Sequence, residues 1–183
     1  MKALFIKYKS VIRFILTFLI VYGALAISYK VYLDYSDGSK YYPDYFTNLV
    51  ANQSVFLLET VGYHAQVAPH PNEASMKLII NNKFVARVIE GCNSISVIIL
   101  FISFIIAFAG KWKITMFYGL FGIVLIYIAN LFRVVILSIG LYHYPWRKEI
   151  LHAVIFPLII YGMVFLLWMF WVNRFATNSV KNG

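Results

Sequence analysis

Three side chains in the second half of the sequence have chemistry that an apolar helix does not need. Cys92, Arg133 and His152 each lie inside or at the edge of an apolar run. As a set they match a cysteine-nucleophile site, in which a thiolate attacks, a histidine moves protons and a cation stabilises developing negative charge. Whether they can act together depends on the elements that carry them.

Each of the three also has a purely structural interpretation. A lone cysteine in a membrane helix usually packs as a small hydrophobic residue, and a histidine at a helix start can lie at the membrane interface. Arg133 fits such a role least, because an arginine inside a membrane span costs about 2.5–3.5 kcal/mol on insertion scales and usually faces the bundle interior. One cysteine cannot form an internal disulfide, so Cys92 is available for other chemistry.

The composition places these residues in a membrane protein. Of the 183 residues, 62% are hydrophobic and 13% are charged, whereas roughly a quarter of a soluble domain is charged. Four apolar runs, near or above the roughly 17 residues that cross a hydrocarbon core, occupy 11–33, 93–109, 114–140 and 151–173. We therefore predict one domain over 1–183, an all-α integral membrane bundle of about four transmembrane helices embedded in the lipid bilayer.

Basic residues predict the orientation. Lysine and arginine flank the first run, fill 110–113 and follow the last run, and the positive-inside rule places such segments, with both termini, in the cytoplasm. All 7 acidic residues fall in 34–91 and 141–150, on the other side. The first run lacks a small-residue cleavage site, so we interpret it as a retained anchor. A membrane surface explains the net charge of +9, and no nucleic-acid partner is predicted.

The extracytoplasmic insertion 34–91 has its own predicted structure. Apolar residues recur at helical spacing over 44–62, which indicates an amphipathic helix on the outer leaflet. The stretch His64 to Pro71 is predicted to be irregular because it contains two prolines. Residues 76–80 and 84–89 flank Asn81-Asn82-Lys83 and predict a β-hairpin that leads directly to Cys92.

This topology brings the three reactive residues to one depth. Cys92 and His152 lie at the outer ends of the second and fourth spans, while Arg133 lies roughly 29 Å along the third span from Ile114. A helix N-terminus and Arg133 would both favour the thiolate form of Cys92. Asn130 is on the same helix face as Arg133 and can hydrogen-bond the guanidinium or a substrate amide.

No cofactor is predicted. The sequence has no phosphate-binding loop or nucleotide fingerprint. His64, His70 and His143 lie on the same predicted side as Cys92, but their spacing matches no zinc pattern, so no metal site is predicted.

The residues around the three reactive side chains resemble a known family. Glu90-Gly91-Cys92-Asn93-Ser94-Ile95, then Asn130-Leu131-Phe132-Arg133-Val134, then His152 look like the Cys, Asn-x-x-Arg, His signature of the exosortase/archaeosortase family. The three elements occur in order on three consecutive spans. The resemblance covers roughly 88–172.

The resemblance implies a membrane-embedded cysteine transpeptidase or protease in the bacterial cytoplasmic (inner) membrane, with its active site on the extracytoplasmic side. Its expected partners are exported proteins that carry a C-terminal sorting signal, made of a short motif, a transmembrane helix and a basic tail, and a cell-surface acceptor. Cys92 is then the nucleophile, Arg133 the stabiliser of oxyanion or thiolate, and His152 the acid and base. Supporting or substrate-binding roles fall to Glu90, Asn93, Ser94 and Asn130.

Two other classes of function compete with this interpretation. A non-enzymatic transport or assembly subunit would use Arg133 as a structural ion-pair partner and Cys92 as a silent packing residue. Thiol redox chemistry would need a partner's thiol, because the chain has no second cysteine. Within the enzyme interpretation, the sequence leaves open whether water or an amine accepts the acyl group.

Overall fold

The structure is a computed structural model, and it describes residues 8–36, 41–108, 111–150 and 154–176. It is mostly helical, and a small antiparallel sheet lies between the second and third helices in chain order, so the predicted class of helical membrane bundle is confirmed. The long helices are α1 (Lys9–Ser36), α2 (Tyr45–Thr60), α3 (Ile95–Ala107), α4 (Trp112–His143) and α5 (Phe156–Trp171), and short helical turns follow α4 over Pro145–Arg147 and Lys148–Ile150. The strands are β1 (Ala65–Pro69), β2 (Met76–Ile80) and β3 (Lys83–Val88).

Within the described part of the chain, three helical segments are long and apolar enough to cross a membrane: α1, α4 and Pro157–Arg174, which extends α5 into a π-helical turn over Val172–Ala176. Helix α3 has 13 residues and is shorter than the predicted span 93–109. It begins at Ile95 because Ser94 has a left-handed backbone conformation (φ 65°), which an α-helix cannot include.

Contacts between α3 and α4 show how the two helices pack. The Cys92 carbonyl accepts a hydrogen bond from Asn130 Nδ2, and Ile102 lies beside Gly119, so the two helices run antiparallel. Helix α3 has 13 residues, about 20 Å, and lies beside only part of the 32-residue α4.

Gly122 allows a close approach between α3 and α4. A Cβ atom at this position would overlap the ring of Phe101, which is fully buried. We expect Gly122→Ala to destabilise the protein by about 1–3 kcal/mol, the usual range for overpacking. Gly162→Ala is the matched control, because its added Cβ would meet nothing within 4 Å beyond its chain neighbours and its own helix backbone. Thermal unfolding in detergent measures both, and equal unfolding temperatures would contradict the prediction.

The predicted helix over 44–62 is present as α2. Asp44 caps it, because its side chain accepts hydrogen bonds from the backbone N–H groups of Phe46 and Thr47. Its buried face includes Val50 and Leu58, which belong to apolar clusters shared with the sheet and with α4. The helix therefore supports the sheet against α4, and its contact with the outer leaflet stays a prediction.

The predicted hairpin is confirmed, and it belongs to a larger sheet. Asn81 and Asn82 both have positive φ, as a two-residue hairpin turn requires, and they connect β2 to β3. The prediction of an irregular His64 to Pro71 is wrong, since Ala65–Pro69 forms β1 and pairs antiparallel with β2. Pro69 is tolerated because it is the last residue of an edge strand, where no ladder hydrogen bond needs its missing N–H.

Candidate active site

Strand β3 leads directly to the cysteine. After Val88, the last residue of the strand, the chain forms a single 3-10 turn over Glu90–Cys92, which is held by a hydrogen bond from the Cys92 N–H to the Ile89 carbonyl at 2.8 Å. Cys92 is a free cysteine of intermediate exposure that packs against an apolar cluster containing Val88 and Val134. Its backbone position is therefore set by the sheet on one side and by α4 on the other.

Asn93 and Ser94 fix the other end of this turn. The Asn93 side chain is fully buried; its Nδ2 donates to the Tyr29 hydroxyl at 2.7 Å and to Thr47 Oγ1 at 3.2 Å. Its Oδ1 accepts from the Ile95 N–H at the start of α3. Ser94 is also buried, and its hydroxyl donates to the Asn93 carbonyl. Both predicted site residues are thus hydrogen-bonded within the protein, and Asn93 holds the Cys92 turn against α1 and α2.

Asn130 connects the cysteine to the arginine. Its side chain is fully buried, and its Nδ2 donates to the Cys92 carbonyl at 2.7 Å. Its Oδ1 accepts from Arg133 Nη1 at 3.4 Å, a long hydrogen bond within one face of α4. A single amide thus contacts the Cys92 main chain and the Arg133 guanidinium, two predicted site residues that are 41 positions apart in the sequence.

Cys92 and Arg133 line the same cavity, which has a volume of about 380 Å³. One wall is β3 and Ile89, and the other is the C-terminal part of α4. Arg133 is partly buried, and its Nε has no hydrogen-bond partner among the described residues. A buried donor without a partner costs about 1–3 kcal/mol, so the guanidinium has unused capacity for an anionic or carbonyl oxygen.

Glu90 is exposed and lines a different cavity. This second cavity, of about 390 Å³, lies between α1 and α3 and is also lined by Tyr29, Lys30, Asp34 and Ser96. Glu90 is not one of the residues that line the Cys92 cavity. The structure therefore separates Glu90 from Cys92 and Arg133, although only Gly91 lies between Glu90 and Cys92 in the sequence.

His152, the predicted acid and base, lies outside the described residues. The structure instead shows another histidine on the wall of the Cys92 cavity, His70, to which the sequence analysis assigned no role. Strand register explains its position, because Pro69, Met76 and Val88 align across the sheet. His70 and Ile89 each follow this row by one residue, so they lie at the same end of the sheet. No local sequence signal reveals that alignment.

A family model described as Transmembrane exosortase (Exosortase_EpsH) matches residues 10–174. No match was found among curated proteins or solved structures. The matched range includes the Cys92 turn, the Asn130 and Arg133 pair on α4, and His152. Because it covers most of the sequence, the chain belongs to the transmembrane exosortase family, whose members are in general membrane cysteine transpeptidases.

Proposed function

We propose that this protein is a cysteine transpeptidase that cleaves the C-terminal sorting signals of exported proteins at the extracytoplasmic face of the bacterial cytoplasmic membrane. The contact pattern of Asn130 is the observation that supports this most directly. Its amide binds the Cys92 carbonyl and accepts from Arg133 at one cavity. Asn130 thus holds the main chain of Cys92, the proposed nucleophile, and also orients Arg133, the cation that would stabilise the intermediate.

The proposed reaction begins with the thiolate of Cys92. It attacks the carbonyl carbon of the scissile peptide bond, and Arg133 stabilises the oxyanion that forms. His152 donates a proton to the leaving amine as the C–N bond breaks, which gives an acyl-thioester on Cys92 and releases the transmembrane tail. Water or an acceptor amine then attacks the thioester, loses a proton to His152, and restores the thiolate.

Helix geometry supports an outward-facing site. Asn130 lies about 27 Å along α4 from Trp112, so Cys92 is far from the 110–113 connection between α3 and α4. That connection contains Lys111 and Lys113, and the positive-inside rule assigns it to the cytoplasm. The proposed orientation therefore puts Cys92 at the outer end of the bundle, where an exported protein can reach it.

The environment of Cys92 favours chemistry over silent packing. A packing cysteine needs an apolar pocket and no polar neighbour. Cys92 contacts an apolar cluster, but it also lines a cavity with Arg133 and His70. A partly buried arginine in a membrane protein is expensive to maintain, which favours a functional partner for its charge.

A comparison of cells with and without this protein tests the proposed activity. Membrane proteins are isolated from a deletion strain and from the same strain with the gene restored, and peptides from the C-terminal tails of exported proteins are quantified by mass spectrometry. We expect at least one protein with a motif, a transmembrane helix and a basic tail to lose its tail peptides when the gene is present. Identical tail peptides in both strains would contradict the proposed function.

Substitutions can distinguish the catalytic roles of His152 and His70. We expect His152→Gln to slow tail cleavage about 10²–10⁴-fold, the usual contribution of a general acid and base. We expect His70→Gln to slow it less than about tenfold, because His70 Nδ1 already accepts a hydrogen bond from the Asn72 N–H. Single-turnover cleavage in proteoliposomes measures both variants. The opposite ranking would transfer the acid and base role to His70.

A further inference from the structure

One edge of β3 has no strand partner among the residues that the structure describes. The sheet order is β1-β2-β3, so β2 pairs with the other edge. Successive residues of a strand point to opposite faces, so a cavity lying on one face touches alternate residues. The Cys92 cavity instead touches six consecutive residues, Phe84 to Ile89. It therefore runs along the edge of the strand, where backbone N–H and C=O groups are available.

The opposite wall of this cavity is one face of α4. Its lining residues recur at helical spacing, from Arg133 and Val134 through Leu137 and Ser138 to Leu141. Arg133 and Cys92 are at one end of the cavity, and the strand leads toward them. We call this space between β3 and α4 the edge cleft.

The part of β3 next to Cys92 has regular pairing. Val85 is a bulge residue, since Phe84 pairs with Ile79 and Ala86 with Leu78. Beyond the bulge, Ala86, Arg87 and Val88 pair in register with β2. Six residues from Phe84 to Ile89 extend over about 20 Å, enough to contact roughly five or six residues of an added strand.

We propose that the edge cleft binds the recognition segment of the substrate in extended form, as a fourth strand beside β3. This rests on the proposed function, which requires a peptide carbonyl at Cys92. A polypeptide is the occupant that fits, because an unpaired strand edge offers alternating main-chain donors and acceptors that only another extended backbone can match along its length. The substrate residues that precede the scissile bond run from N- to C-terminus toward Cys92. Strand β3 runs toward Cys92 in the same sense, so the added strand is parallel to β3.

This binding mode predicts a particular dependence on the substrate's main chain. In a parallel ladder, one set of alternate residues directs both N–H and C=O to the neighbouring strand, and the other set directs them away. N-methylation of an amide removes its donor. It should therefore weaken binding at every second position and have little effect at the positions between them.

The test uses a random hexapeptide library that ends in a vinyl sulfone, which alkylates thiols irreversibly. Cys92 is the sole cysteine of the chain, so the rate of adduct formation in proteoliposomes reports on this thiol alone. We expect the library to react faster than methyl vinyl sulfone, because main-chain pairing is common to every member. We also expect N-methylation to slow the reaction roughly tenfold at alternate positions, because it removes a main-chain hydrogen bond and adds a methyl group between the strands.

Results other than these contradict either the edge-cleft proposal alone or the proposed function as well. If the library reacts no faster than methyl vinyl sulfone, or if N-methylation shows no alternation, the edge cleft does not bind a strand, although the proposed function stands. If neither reagent alkylates Cys92, the proposed function fails as well, since the thiol is then not a nucleophile.

Two variants of α4 provide an independent check. Leu137, which is 8% exposed, lines the edge cleft, whereas its neighbour Ile136 is 57% exposed on another face of α4. We expect Leu137→Trp to fill the cleft and remove the advantage of the library over methyl vinyl sulfone, and we expect Ile136→Trp to retain it. An unchanged advantage in a folded Leu137→Trp protein contradicts the proposal. If that variant does not fold, the N-methylation pattern of the unmodified protein decides.

Discussion

Replacing Cys92 with serine is expected to reduce tail cleavage by roughly 10⁴-fold or more, because a hydroxyl group is a far weaker nucleophile than a thiolate. The two side chains are close in size, so the turn over Glu90–Cys92 and the Asn130 contact with the Cys92 carbonyl should persist. Cleavage of a purified substrate in proteoliposomes measures the loss. The same preparation should show a hydroxylamine-sensitive acyl adduct on the native protein and none on Cys92→Ser.

The control for this prediction is the stability of the variant. Because the substitution leaves the apolar contacts with Val88 and Val134 nearly intact, we expect thermal unfolding in detergent to change little. The silent-cysteine alternative predicts the reverse pattern for activity, since a packing residue can be exchanged for serine without functional loss. Full cleavage by a folded Cys92→Ser protein would therefore exclude Cys92 as the nucleophile.

Replacing Arg133 with alanine is also expected to slow cleavage strongly. Loss of one stabilising group for an oxyanion typically costs about 10²–10³-fold in turnover. The effect should fall on kcat more than on KM, because the oxyanion exists in the transition state and not in the bound substrate. Arg133→Lys should recover only part of the loss, since a lysine cannot reproduce the planar guanidinium that binds Asn130 Oδ1.

Arg147 supplies the matched control for Arg133. Its side chain is exposed, lies over the Tyr144 ring and does not line the Cys92 cavity. Exposed side chains outside a site contribute little, so we expect Arg147→Ala to retain cleavage within about threefold. If Arg133→Ala unfolds the protein while Arg147→Ala does not, Arg133 is a structural ion of the bundle, as the non-enzymatic alternative predicts. Steady-state kinetics and thermal unfolding of the three variants separate these cases.

Features that depend on local sequence were predictable. Long apolar runs revealed the membrane bundle because hydropathy reports on the surrounding solvent directly. The Asn81-Asn82 pair indicated the hairpin because its turn type depends on two adjacent residues. The resemblance around Cys92 and Arg133 predicted the family, and the match over residues 10–174 confirms it.

Features that depend on distant contacts were decided by the tertiary structure. Strand β1 exists because β2 provides it with a partner, and the register of the sheet then carries His70 to the Cys92 cavity. Asn93 directly follows Cys92 in the sequence, but its hydrogen bonds to Tyr29 and Thr47 show that it holds the Cys92 turn in place.

The sequence by itself thus determined the solvent, the class of fold and the reactive residue types, because each of these depends on composition or on neighbours along the chain. The tertiary structure alone decided that Asn130 joins Cys92 to Arg133 and that the Cys92 cavity runs along β3. Both depend on the antiparallel packing of α3 on α4 and on sheet register. Such contacts join residues tens of positions apart, and local patterns do not encode them.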